Sequence, residues 1–184
     1  MKKKLFCGIM LLTACTMLMM VGCKKENSQQ QEPDQPTQAK LVAACLAYSF
    51  EVTEDMLSVA DVTVSYFDEK GQVQTEQLKS TSWSKTIQTA LPAKLGVRVL
   101  AVLKENFNPA DHEKVTIARS YSTTTYCLDE NGKKVNVKSD AISLSSAYSG
   151  EKIPAYFEKY KDHFIQTLYT VDAEGNFTYH EDWE

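Results

Sequence analysis

The sequence predicts an all-β fold on three observations. Val42, Ala44, Leu46, Tyr48, Phe50 and Val52 recur at period two, the mark of a strand with one buried face. Asp-x-x-Gly occurs three times, at 68–71, 129–132 and 172–175, each time between alternating segments. An aspartate can hydrogen-bond the turn backbone, and a glycine three residues later supplies the positive φ a return strand needs. Finally, seven or more short alternating runs fit between residues 40 and 184, the spacing of a sandwich rather than a bundle.

Taken in order, the first strand runs from Val42 to Val52, with the small residues Ala43, Cys45, Ala47 and Ser49 on its other face. A helix competes here, since Ala and Leu are frequent, but Tyr48-Ser49-Phe50-Glu51-Val52 favours a strand. Glu54 to Val59 reads as a helical turn opened by Thr53 as N-cap. Val62, Val64 and Tyr66 begin a hairpin that turns at Asp68 and restarts at Val73. Trp83 to Thr89 and Val97 to Leu103 are two further strands joined at Leu91-Pro92-Ala93-Lys94. Val115 to Leu128 is another strand, or two with a bend near Arg119-Ser120, and its hairpin partner restarts at Val135 and Val137. From Ile153 to His163 the period changes. Ile153, Tyr156, Phe157 and Tyr160 recur at helical spacing behind Pro154, which predicts one short helix. A last hairpin turns at Asp172 and returns through Phe177 and Tyr179. The architecture expected is an immunoglobulin-like antiparallel β-sandwich with one short helix near the C-terminus.

Ahead of this domain lies an export address. Met1 to Lys4 is basic, Leu5 to Val21 is apolar and uncharged, and Gly22-Cys23 closes the run. The pattern resembles the lipobox of bacterial lipoproteins, which implies removal of residues 1–22 and lipidation of Cys23. A transmembrane anchor is the first rival, but Leu5 to Gly22 is short for a span. Processing at Cys15 is the second. It would leave an h-region of only about seven residues and a mature chain starting with apolar residues. Lys24 in place of an aspartate points outward, to the outer membrane or the cell surface, by analogy with lipoprotein sorting. Lys24 to Gln38 contains no Val, Ile, Leu, Phe, Tyr or Trp and has prolines at 33 and 36. Such composition cannot offset its ordering entropy by burial, so residues 23–39 read as lipidated cysteine and flexible tether, and residues 40–184 as the domain.

Charge narrows the partners. The whole chain carries a formal net charge of −4, and residues 1–22 hold three of the twenty Lys and Arg and none of the acids. The mature chain therefore has seven more acidic than basic residues. That balance disfavours nucleic acid and anionic lipid surfaces. Cys45 and Cys127 survive processing. An oxidising compartment permits a disulfide between them, and small buried thiols are the plainer reading.

The stretch Ala60-Asp61-Val62-Thr63-Val64-Ser65-Tyr66, with Gly71, Trp83-Ser84-Lys85-Thr86 and Leu91-Pro92-Ala93, resembles β-sandwich lipoproteins of gut Bacteroidota over about residues 40–106. The resemblance implies a fold and a habitat. It supplies no active residues.

No catalytic constellation assembles. His112, His163 and His180 lie in separate segments, each beside an acid, but neighbouring strand residues point to opposite faces. His180-Glu181-Asp182 is the densest metal-ligating cluster and reads as an exposed acidic tail. Asp129-Glu130-Asn131-Gly132 lacks the alternating ligands and the later glutamate of a calcium loop. No Gly-x-Ser-x-Gly and no phosphate-binding glycine loop is present. Exposed rings could stack on sugars, and alternation does not assign Phe67, Trp83, Tyr121, Tyr148 and Trp183 wholly to the core. The expectation is a membrane-attached, non-enzymatic binding or interaction module without cofactor or metal, engaging a glycan or host ligand. The alternatives are a structural, adhesin- or pilus-type subunit pairing through an edge strand, and thirdly a hydrolase with a metal site.

Overall fold

The structure, a computed structural model, describes residues 39–183. The expected signal peptide, Cys23 and the 24–38 spacer lie outside the described residues. The strands are β1 (Leu41–Val52), β2 (Ala60–Phe67), β3 (Val73–Gln77), β4 (Ser82–Ala90), β5 (Ala93–Leu103), β6 (Val115–Asp129), β7 (Lys134–Tyr148), β8 (Ile165–Val171) and β9 (Phe177–Tyr179). Helix α1 (Glu54–Val59) follows β1, and α2 (Ile153–Lys159) precedes β8. Two antiparallel sheets pack face to face, one ordered β4-β1-β6-β7 and the other β3-β2-β5-β8-β9. The all-β sandwich expected from the sequence is the fold observed.

The core lies between β1 and β5, where alternation is strongest. Leu46, Phe50, Val62, Val64, Leu95, Val97 and Val99 are buried completely or nearly so. Each full side chain of this size contributes roughly 1.5–3 kcal/mol by leaving water. The turns form as their residues demand. Asp68 Oδ1 accepts the amides of Lys70 and Gln72, and Asp129 Oδ1 accepts those of Asn131 and Lys133. Asp172 Oδ1 accepts the amide of Asn176. The glycines that follow all have positive φ, between 73° and 82°. Thr53 caps α1 by accepting the amide of Met56 at 3.1 Å.

Two elements differ from expectation. The helix predicted to reach His163 stops at Lys159. Tyr160 leaves helical dihedrals, and the Phe164 amide bonds Val99 O at 3.0 Å, so the chain turns back to β5 and seats Phe164 edge-on against Phe50. Burying Phe164 outweighs another helical turn. The second difference is β7. Only Val135 and Val137 signalled it, yet it runs fifteen residues along β6.

Cys45 and Cys127 are both buried and free. In the register of β1 on β6, Cys45 is opposite Tyr126 and Cys127 is opposite Ala44. The two thiols therefore point to opposite faces of one sheet, which no disulfide geometry spans.

Candidate interaction surface

One row of side chains across the four-stranded sheet shows how the site arises. Trp83 on β4, Phe50 on β1, Tyr121 on β6 and Ile142 on β7 are register neighbours facing the other sheet. Phe50 is fully buried, Trp83 and Tyr121 are half-buried, and Ile142 is 37% exposed. The next positions on β6 facing inward are Thr123 and Thr125, so the apolar layer thins toward β7. The facing sheet ends in the three-residue β9. Every residue from Asn136 to Ala147 is exposed. Val137, Ile142 and Leu144 are among the large exposed apolar side chains of the molecule.

The backbone of β7 is open on its outer side. No strand among the described residues pairs there. The direction of its groups follows from the ladder. Val52 donates its amide to Thr81 O, so even-numbered residues of β1 turn toward β4 and odd-numbered ones toward β6. Ser49 pairs with Ser122 and Tyr121 with Ile142, which carries the alternation across. Even residues of β7 from Lys138 onward thus bond β6, and Ser139, Ala141, Ser143, Ser145 and Ala147 direct both N–H and C=O outward. The Ala141 amide is consistent with this, since it bonds the carboxylate of its neighbour Asp140 at 2.9 Å. Below Lys138 the register shifts against β6 and Asn136 adopts φ 54°, a bulge that ends the regular edge.

Natural edges are usually interrupted by charge, proline or a bulge. From Ala141 to Ala147 this one has neither charge, proline nor glycine. Its outer face is flush with neighbours of similar size. Ser120 Oγ bonds Ser143 Oγ and Thr124 Oγ1 bonds Ser139 Oγ, both at 2.9 Å.

Beneath the far end of β7 lies a cleft of about 150 Å³ walled by Arg119, Leu144, Tyr148, Tyr156 and Tyr160. Arg119 donates to Phe164 O at 2.9 Å and lies 4.9 Å from the Tyr160 ring centre. No carboxylate among the described residues forms an ion pair with it. Burial pushes the Tyr156 hydroxyl up to about 12.

The residues singled out from the sequence do not converge. His112 stacks on Phe107 at 5.1 Å, His180 Nε2 meets Thr170 Oγ1 at 2.8 Å, and His163 is exposed after α2. No cluster of three or more metal-ligating side chains forms among the described residues. The ambiguous aromatics are packed. Phe67 stacks on Trp183 at 5.1 Å, Trp83 lies 5.7 Å from Tyr66, Tyr121 stacks on Tyr48 at 6.0 Å, and Tyr148 meets Tyr156 at 5.0 Å. Tyr48 Oη is buried without a partner among the described residues, and burial raises its pKa strongly. Compared with known protein families, curated proteins and solved structures, the chain matches none.

Proposed function

We propose that this chain is a lipid-attached, non-catalytic interaction module that engages another polypeptide by strand addition at β7. The observation that carries the reading is the uncharged, exposed edge from Ala141 to Ala147 with its outward amides and carbonyls. An added strand bonds such groups through its own main chain, and small side chains on both flanks let it approach. The N-terminal sequence supports attachment through Cys23 to the outer membrane or cell surface, and its polar spacer supplies reach.

Two measurements test it. Cys23→Ala is expected to release the protein from membranes or leave it unprocessed, and unchanged fractionation with normal processing would remove the attachment. A photo-crosslinking residue at Ala141 or Ser145 of the membrane-attached protein is expected to give protein adducts, while the same probe at exposed Glu69 gives none. Absence of adducts at both edge positions defeats strand addition.

A second reading, ligand capture, is favoured by the Arg119 cleft. A guanidinium flanked by tyrosines and without an acidic partner suits a sugar carboxylate. Glucuronate is then expected to bind in calorimetric titration and Arg119→Gln to abolish the heat. No heat with the unaltered protein ends this reading.

A further inference from the structure

Resting on the strand-addition reading, we propose that the occupant of the β7 edge is β7 of a second copy, antiparallel, about a two-fold axis through Ser143. Only residues whose groups face outward can form the hydrogen-bonded pairs, and these are the odd-numbered ones. A two-fold at Ser143 pairs it with itself, Ala141 with Ser145 and Ser139 with Ala147. About ten backbone hydrogen bonds then form. A shift by one residue between the strands sets outward groups against inward ones and forms none.

Side chains select among the remaining registers. With the axis at Ser143, Ile142 faces Leu144 of the second copy and Leu144 faces its Ile142. The two half-exposed apolar residues at the strand centre then cover one another. Asp140 faces Ser146, whose hydroxyl replaces the Ala141 amide as its donor, and Lys138 faces Tyr148. Moving the axis to Ala141 or Ile142 sets Asp140 against Ile142 or Leu144. A parallel pair of the same edge would set odd-numbered residues against even-numbered ones, a register that no two-fold axis relating the copies can produce. In the Ser143 register no charged residue faces another charged residue, and the two apolar residues cover each other. The 24–38 spacer is a poor occupant, having no large apolar residue and two prolines.

The pairing also closes. A two-fold interface uses the same patch on both copies, so the product is an eight-stranded sheet with β4 at each end. Lys85 points inward from β4 to Glu76 and Tyr66, a charge that guards this edge against further addition.

Cysteine substitution in the full-length, membrane-attached protein tests the register. A hydrogen-bonded pair brings Cα atoms to about 5.5 Å, within disulfide reach. Ser143→Cys is expected to give a species of twice the chain mass on oxidation. Ala141 and its own copy would be about 14 Å apart along the strand, so Ala141→Cys and Ser145→Cys should each stay monomeric alone and cross-link when co-expressed. Ser145→Pro removes an outward amide without touching the bonds to β6. Added to Ser143→Cys, it should cut the dimer fraction about tenfold. Failure of Ser143→Cys and of the mixed pair to cross-link, or equal cross-linking by Ala141→Cys alone, overturns the proposal. If photo-adducts at Ala141 then carry another mass, strand addition stands with a different partner. If there are none, both fall.

Discussion

The four-stranded sheet has two edges, β4 and β7, and they are finished differently. Both are rich in serine and threonine or alanine, and both present alternate backbone groups to the outside. At β4 the neighbouring sheet comes close. Lys85 bonds Tyr66 Oη and lies 3.2 Å from Glu76 on β3, and Trp83 packs on Tyr66 and Tyr48. That corner is sealed by a cation, an anion and three rings. At β7 no such corner forms: Ile142, in the same row as Phe50, is 37% exposed, and every residue from Asn136 to Ala147 is exposed. Sandwich edges differ by what the opposite sheet brings to them as much as by their own sequence.

Truncation along the common row gives the largest separation. Phe50→Ala should cost about 3–5 kcal/mol in chemical denaturation, because it empties a fully buried position. Trp83→Ala should fall below that, and Ile142→Ala should stay within about 0.5 kcal/mol for the dilute monomer. A cost at Ile142 equal to that at Phe50 would erase the distinction between closed and open edges.

The sealed corner has its own pH signature. Hydrogen bonds from Tyr66, then from Lys85 and Trp83, hold the Glu76 carboxyl below its ordinary value. A carboxyl lowered in the folded state contributes its stability fully above about pH 4.3, and loses it as pH falls through the depressed folded value. The bond to Tyr66 and the pairing with Glu76 raise the Lys85 ammonium, so its share persists below about pH 10.4 and fades as pH rises beyond the folded value. Both groups are more than a third exposed, and the pair is worth under about 1 kcal/mol. Glu76→Gln should flatten the acid limb of a melting-temperature profile by that amount. An unchanged profile would show that the rings alone seal the corner.

The smallest effect is the most local. In the monomer, amide exchange along β7 should alternate. Ser143, Ser145 and Ala147 exchange quickly, and Ile142 and Leu144, bonded to β6, exchange slowly. Uniform protection of all five at low concentration would mean that the outer edge is already covered.

Much of the fold was legible because local chemistry and global packing agree. The three Asp-x-x-Gly turns form as written, β1 carries its expected face into the core from Ala44 to Val52 while Val42, at a register shift, stays exposed, and Thr53 caps α1. The interaction surface was not legible for the same reason. Alternation in a strand is imposed by one buried face, and β7 has none, so Ser, Ala, Asp and Lys fill positions that elsewhere must be apolar. What remained was an indirect signal, the seven uncharged, proline-free residues after a hairpin turn. The cleft was hidden too, since Arg119 on β6 meets Tyr156 and Tyr160 of the helical segment only after Phe164 has turned the chain back.

The position of β1 has a consequence in time. It is a central strand with seven buried residues, yet it meets its partners late. Its first partner begins at Ser82, and its second, β6, reaches it only between Arg119 and Asp129. The hairpins β2–β3 and β6–β7 close over short loops and need no distant residue. A chain dominated by such long-range pairing folds slowly. The limiting step is expected to be docking of the preformed β6–β7 hairpin onto β1, and until then the most apolar strand of the molecule has β4 on one side and no strand on the other.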